Sequence, residues 1–365
     1  MKRLLCIVSA MDTGGAETFL MKLYRNIDTS KYQMDFCVNK EENFYRAEIE
    51  QLGGKIFVVP LKSQHPIKSF NELKRIVKEN NYEAVMRVNE HSLSVLDLLA
   101  AKAGGAKKLA MRSSNASSGS KKSIMLHKLF KFLPKTVPDI KIAPSKLAAE
   151  YTFGKKAVEK GEVHFLHNGL NLEQYRFDSV IREKYRTEMK LNDKLVIGHV
   201  GRFSQQKNHE FLIKVFSEIK KLRENAVLVL VGCGELEDKI KEQVKNIGIE
   251  NSVLFLGRRA DIPQLLSAMD GFLFPSFFEG MPNTVIEAQT AGLPCLISDS
   301  ITDEAAVTPL VSIESLERSP EEWSGRMCSL IDNNKMPRED AMDIMREKGY
   351  DIDSCVHLFE RIIFE

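Results

Sequence analysis

The chain has 365 residues, 43% apolar and 28% charged, with a net charge of +2. That balance suits a soluble protein of about two domains and excludes wholesale disorder, a collagen-like repeat and a multi-span membrane protein. Cys6, Cys37, Cys233, Cys295, Cys328 and Cys355 are scattered with no CxxC or Cys/His spacing; this excludes a disulfide scaffold and fits a reducing, cytosolic compartment.

Lys2 and Arg3 precede a seven-residue apolar run at 4–10. The run is short for a secretion signal and reads as a first strand. Further short apolar runs lie at 33–39, 55–61, 82–88, 107–113, 139–145 and 162–168, with helical patterns such as 16–27 and 92–103 between them. A second series has strands at 194–200, 226–232, 252–257, 271–276 and 294–298, and helical stretches around 319–332, 337–348 and 352–364 end the chain. Strands alternating with helices imply βαβ units and parallel sheets. Two series imply two Rossmann-like, doubly wound α/β domains with a cleft between them. The polar stretch 171–193 lacks an apolar stripe and places the boundary, giving domains 1–178 and 179–349. Residues 1–178 carry 29 Lys and Arg against 19 Asp and Glu, whereas residues 179–365 carry 23 against 31. A basic half joined to an acidic half suggests different tasks for the two.

Four stretches carry candidate chemistry. FPSFFEGMPNTVIEAQTAGLPCLISD (274–299) runs from a strand through a Gly/Pro loop into a short helix, with Asn283 as N-cap and Gly292 and Pro294 as the stop. Glu279 then lies at the carboxyl end of a strand, where open α/β sheets bind ligands. Glu287 lies on the helix. One of these glutamates can accept hydrogen bonds from a sugar and the other from a ribose diol, and the helix start can hold a phosphate. GHVGRFSQQKNHEFLIKVF (198–216) places Arg202 and Lys207 on either side of a strand-to-helix turn, a pattern that suits a diphosphate. MDTGGAETF (11–19) puts Gly14 and Gly15 at a helix start after the first strand. In VGCGELEDK (231–239), Gly232 and Gly234 border a nucleotide or simply make a tight turn. No P-loop, HExxH, GxSxG or metal-spaced cluster is present. Asp351 and Asp353 form a DxD before the last helix, where Asp serves as a cap. From 98 to 138 there is no acidic residue and nine Lys or Arg. Within that stretch, 121–135 interleaves apolar and cationic side chains as a helix for an anionic membrane surface does. No nucleic-acid recognition motif accompanies the charge.

GGAE at 14–17, HNGLNLEQY at 167–175, GRF and KNH within 201–209, and EGMPNTVIEAQTAGLPCLISD at 279–299 occur in this order. Together they resemble the retaining glycosyltransferases of family 4, with the GT-B fold, and most of all those of bacterial exopolysaccharide and capsule synthesis. The resemblance implies that a nucleotide-diphospho-sugar binds mainly to the second domain. Arg202 and Lys207 would hold the diphosphate and assist its departure, and Glu287 would bind the ribose. Glu279 would contact the donor sugar, aided by Gly280, Met281, Pro282, Asn283 and Thr284. Arg258 and Arg259 would lie near the base, and Gly15 beside the diphosphate or acceptor. The last helix, 350–365, would pack on the first domain. No metal or other cofactor is implied, because cationic side chains and helix dipoles take a metal's place. Relatives carry histidines after the fifth strand in a pattern like HSHN; here Arg112, Ser113, Ser114 and Asn115 stand there. Arg112 and Asn115 are therefore acceptor-side candidates, with His91 as a further one.

The expectation is a cytosolic, metal-independent retaining transferase at the inner membrane face. It would move a hexose or N-acetylhexosamine from a UDP-sugar to a polyprenyl-diphosphate-linked or other glycan. The alternatives are a donor-binding but inactive partner subunit, which the Arg112 and Ser114 departures suggest, and a UDP-sugar epimerase.

Overall fold

The computed structural model describes residues 1–12, 15–89, 92–113, 130 and 132–365. The chain divides into two compact units, residues 1–169 with 349–365, and residues 170–348.

The first unit is built on β1 (Lys2–Ile7), β2 (Tyr32–Val38), β3 (Ile56–Val58), β4 (Ala84–Asn89), β5 (Lys108–Ser113), β6 (Ile140–Ala143) and β7 (Val163–Phe165). They form one parallel sheet in the order β3-β2-β1-β4-β5-β6-β7. Cys6 of β1 stands between Phe36 of β2 and Met86 of β4. The strand order therefore reverses at the β1/β4 junction, where such sheets bind ligands at their carboxyl ends. The helix Ile352–Phe364 belongs to this unit. Its Val356, Phe359 and Ile363 share a core with Leu20, Leu23 and Tyr24 of the helix Gly15–Asn26. Phe364 stacks on Tyr32 with ring centroids 4.3 Å apart.

The second unit repeats the scheme with β8 (Leu195–Val200), β9 (Ala226–Val231), β10 (Val253–Phe255), β11 (Gly271–Phe274), β12 (Cys295–Ser298) and β13 (Val311–Glu314). Their parallel order is β10-β9-β8-β11-β12-β13, with the reversal at β8/β11. β9 reads AVLVLV and is buried at all six positions, the pattern of a parallel strand covered on both faces. β13 is absent from the sequence reading. It is a four-residue edge strand of which Ser312 alone is buried, so no apolar run marks it.

Residues 171–193, read as a polar boundary, instead hold two helices of the second unit, Leu172–Tyr175 and Ser179–Glu188. Asp178 caps the latter by accepting from the amides of Val180 and Ile181. Charged contacts anchor it where an apolar stripe would be expected. Arg186 donates to Asp270 Oδ2 at 3.1 Å and to the Ala268 carbonyl at 2.9 Å. The contacts thus divide the chain at 169/170, earlier than 178/179.

All six cysteines are free thiols; Cys233 is exposed and the others are buried. Among the described residues no helix is long and apolar enough to cross a membrane. No group of three or more His, Cys, Asp or Glu among them is spaced for a metal ion.

Candidate active site

Two loops leave the carboxyl ends of β8 and β11, and hydrogen bonds join them. The Phe277 amide donates to the Gln206 carbonyl, and Gln206 Nε2 donates to the Phe278 carbonyl, each at 2.9 Å. This brings Lys207 Nζ to 2.6 Å from Glu279 Oε1, with the two side chains only 17% and 12% exposed. The ammonium also lies 4.6 Å from the centroid of the Phe274 ring. A charge pair this sheltered is stronger than a surface pair, but it is costly to strand either member. A ligand that offers an anion to Lys207 and a hydroxyl to Glu279 would replace what each gives the other.

The helix Asn283–Thr290 follows the Glu279 loop. Asn283 is its first residue rather than its cap; Pro282 occupies the cap position and no side chain caps it. The Val285 and Ile286 amides instead donate to the Pro282 carbonyl at 3.1 and 3.3 Å, and the helix dipole still favours negative charge at this end. Met281 packs against the core of the unit, and Gly280 lies half-buried in the loop. The Thr284 hydroxyl is buried without a hydrogen-bond partner, as is that of Ser276 at the end of β11. Glu287 is held by the Tyr175 hydroxyl, whose pKa is raised by burial and then by the Glu287 charge. Tyr175 ends the HNGLNLEQY motif, and its bond to Glu287 gives that residue a task that the motif does not reveal.

Arg202 does not join Lys207. Its side chain is 73% exposed and pairs with Glu235 at 3.1 Å. Arg258 is exposed. Arg259 Nε donates to Asp261 Oδ1 at 2.7 Å and Tyr185 donates to the same carboxylate, which lowers its pKa to about 2. The Gly232 and Gly234 turn packs against the 201–203 turn. A Cβ at Gly232, where φ is +138°, would lie 2.0 Å from the Gly201 carbonyl oxygen. Close backbone approach thus explains that glycine without a nucleotide.

Beneath Lys207 lie two buried histidines of the same 198–216 stretch. His199 and His209 are 0% and 2% exposed, with ring centroids 4.7 Å apart and nearly perpendicular. Phe203 stacks on His209 at 4.2 Å. His199 Nδ1 bonds the Leu273 carbonyl at 2.9 Å, while His199 Nε2 and both His209 nitrogens have no partner. Burial lowers both pKa values, that of His209 to about 4, with Lys207 pressing in the same direction. Each orphaned nitrogen costs about 1–3 kcal/mol. The available signal was a histidine inside the apolar run KLVIGHV and a second one after Lys207.

In the first unit Gly15 opens the helix Gly15–Asn26, and a Cβ there would meet nothing within 4 Å. Arg112, near the end of β5, is 2% exposed. Its guanidinium lies 3.8 Å from the Phe19 ring centroid, and Nη2 donates to Asn168 Oδ1 at 2.5 Å. Its Nε has no partner, and burial pulls its pKa down to about 9. Among the described residues no carboxylate pairs with it. His167 stacks on Tyr350 at 4.2 Å. Gly14, His91, Ser114, Asn115 and, apart from Phe130 and residues 132–135, the basic segment 121–135 lie outside the described residues.

Two doubly wound parallel-sheet units of this kind make a GT-B fold. The model of the family described as glycosyl transferases group 1 matches residues 181–344, the span that carries Lys207, Glu279 and Glu287. The chain is 33% identical over 357 residues to EpsF of Bacillus subtilis, itself only provisionally named a glycosyltransferase, covering 96% of this chain and 93% of EpsF. The chain belongs to the group 1 glycosyl transferases. It is also 35% identical over 148 residues to an Escherichia coli UDP-Gal:alpha-D-GlcNAc-diphosphoundecaprenol alpha-1,3-galactosyltransferase, covering 39% of this chain and 38% of that one. HepE of Anabaena, solved in complex with UDP, superposes with a TM-score of 0.81 at 19% identity, over 99% of both chains.

Proposed function

We propose that the chain is a retaining, metal-independent glycosyltransferase that uses a UDP-sugar donor. The observation that carries this is the sheltered Lys207–Glu279 pair at the carboxyl ends of β8 and β11, with Glu287 held nearby in sequence by Tyr175. Lys207 stabilises charge developing on the departing diphosphate, as fixed donors do where charge appears in a transition state. The positive end of the Asn283–Thr290 helix dipole and the exposed Arg202 favour the same group. Glu279 accepts from a sugar hydroxyl, and Glu287 accepts from the ribose diol. Arg258 lies toward the base. The UDP complex of HepE supports the choice of nucleotide.

The acceptor is a glycan on a polyprenyl diphosphate, in bacterial surface polysaccharide synthesis. The name of the E. coli relative, which specifies a diphosphoundecaprenol-linked sugar, and that of a Staphylococcus aureus capsular polysaccharide glycosyltransferase, 32% identical over 134 residues, support this. The basic segment 121–135 brings the enzyme to the anionic inner face of the membrane. Purified protein, a panel of UDP- and GDP-sugars, lipid-linked acceptors in anionic vesicles and EDTA test the reading. Acceptor-dependent UDP release that survives EDTA, with the anomeric configuration kept, is expected. A donor consumed without acceptor would make the chain an epimerase or hydrolase. Donors that raise the melting temperature but are never consumed would make it an inactive partner subunit.

A further inference from the structure

β8 and β11 pair at Ile197↔Gly271 and Gly198↔Phe272, the last register pair of the two strands. One residue further on, the Leu273 carbonyl accepts from the His199 side chain at 2.9 Å. A carbonyl only accepts, so Nδ1 carries the proton and the neutral ring leaves Nε2 as a bare acceptor. The imidazole thus links the two strands one residue beyond their last register pair. Beyond that span each strand continues into the loop that carries one member of the Lys207–Glu279 pair. The ring also fixes the Lys207 side. A Cβ at Gly201 would lie 2.8 Å from His199 Nε2 and 3.4 Å from Lys207 Cδ, so the ring and the lysine stem both flank the Gly201 backbone, which has room for no side chain. His209, at the start of the helix after Lys207, stands edge-on to His199 and closes the cluster from the other side.

We propose that His199 is a positioning residue for the donor site: its Nδ1–H bridge to Leu273 sets the distance between the loops bearing Lys207 and Glu279, and it acts on turnover through Lys207. This rests on the donor-site reading of that pair. The orphaned nitrogens then have a reason to persist. An apolar residue would pack as well but would leave the Leu273 carbonyl without its donor and the loop spacing unset. His209 supports the ring by contact alone.

The test compares His199→Asn, whose amide nitrogen falls near the Nδ1 position, with His199→Phe, which keeps the ring and loses the donor. In acceptor-dependent UDP release, His199→Phe is expected to lower kcat at least tenfold while the donor KM moves less than threefold. His199→Asn is expected to stay within threefold of wild type. In a double-mutant cycle, His199→Phe added to Lys207→Ala is expected to slow the enzyme no further. Equal rates for the Asn and Phe variants, or losses that multiply in the double variant, would overturn the proposal. Should His199→Phe not fold, His199→Gln, whose donor falls near Nε2, takes its place with the same expectation. Crystal structures of the Asn and Phe variants ask the question without turnover: Lys207 Nζ stays within about 3 Å of Glu279 in the first and moves away in the second. A wild-type rate in Lys207→Ala itself would reject the donor-site reading, and that result is read separately from the His199 comparison.

Discussion

Each sheet has a sheltered cation near its carboxyl edge, and the two have different surroundings. Arg112 lies near the end of β5 against Phe19 and Asn168, with no carboxylate paired to it among the described residues and one nitrogen unpartnered. Lys207 lies beyond β8, part-exposed and paired with Glu279 at 2.6 Å. A ligand can take the place of an accessible carboxylate; it cannot reach a guanidinium that is 2% exposed without local opening. The same strand order has thus produced one edge poised for exchange and one closed around its charge.

Replacing Lys207 is the severest way to test this difference. Lys207→Ala is expected to lower kcat by about 10²–10³, the range for losing one preorganised donor, with a smaller change in donor KM. Equal losses in both constants would make Lys207 a binding residue only. The second edge should also be the proton-sensitive one. His209 ordinarily titrates near 6.5 and is held to about 4 in the fold, so the unfolded chain binds the extra proton first as pH falls. Stability is then full above pH 6.5 and declines by about 3 kcal/mol by pH 4. Chemical unfolding of wild type and His209→Phe across that window should show a shallower slope in the variant. Parallel slopes would remove His209 from the account.

Smaller effects separate the glutamates. Glu287→Ala is expected to weaken UDP binding about tenfold or more, measured by calorimetry, because a buried diol loses its acceptor. Tyr175→Phe should weaken it about threefold by freeing Glu287; an unchanged affinity in both variants would sink the ribose assignment. The smallest effect is expected at Arg112. Arg112→Met gives up the Asn168 bond but no longer buries a charge, so the melting temperature should stay within about 3 °C. Loss of transfer at unchanged melting temperature would bring Arg112 into the reaction and erase the contrast between the two edges.

Much of this was legible in the sequence. Central parallel strands covered on both faces are continuous apolar runs, and the edge strands β3, β7 and β10 still lie in short apolar stretches, while the edge strand β13, with one buried residue, does not. Lys207, Glu279 and Glu287 sit in motifs that can be read locally. Their pairing cannot, because Lys207 meets Glu279 across 72 positions and the meeting depends on two loops bonding through Gln206. Arg202 shared a motif with Lys207, yet it turns outward to Glu235. His199 was hidden for the opposite reason: within an apolar strand a lone histidine looks like filler, and its bond runs to a backbone carbonyl that no sequence pattern marks.

The first unit is discontinuous in the chain: residues 349–365 complete a core begun by residues 1–169. On the ribosome this imposes a schedule. At about 5–20 residues per second, the intervening segment 170–348 takes roughly 10–40 s to translate. Throughout that time the nascent first sheet lacks Val356, Phe359 and Ile363, and the apolar face of Gly15–Asn26 stays uncovered. The second unit, contiguous in the chain, can finish folding before the first. A chaperone that shields nascent apolar surface should therefore engage the amino-terminal half for longer, and a stop codon shortly before position 349 should yield a soluble second unit fused to an aggregation-prone first one.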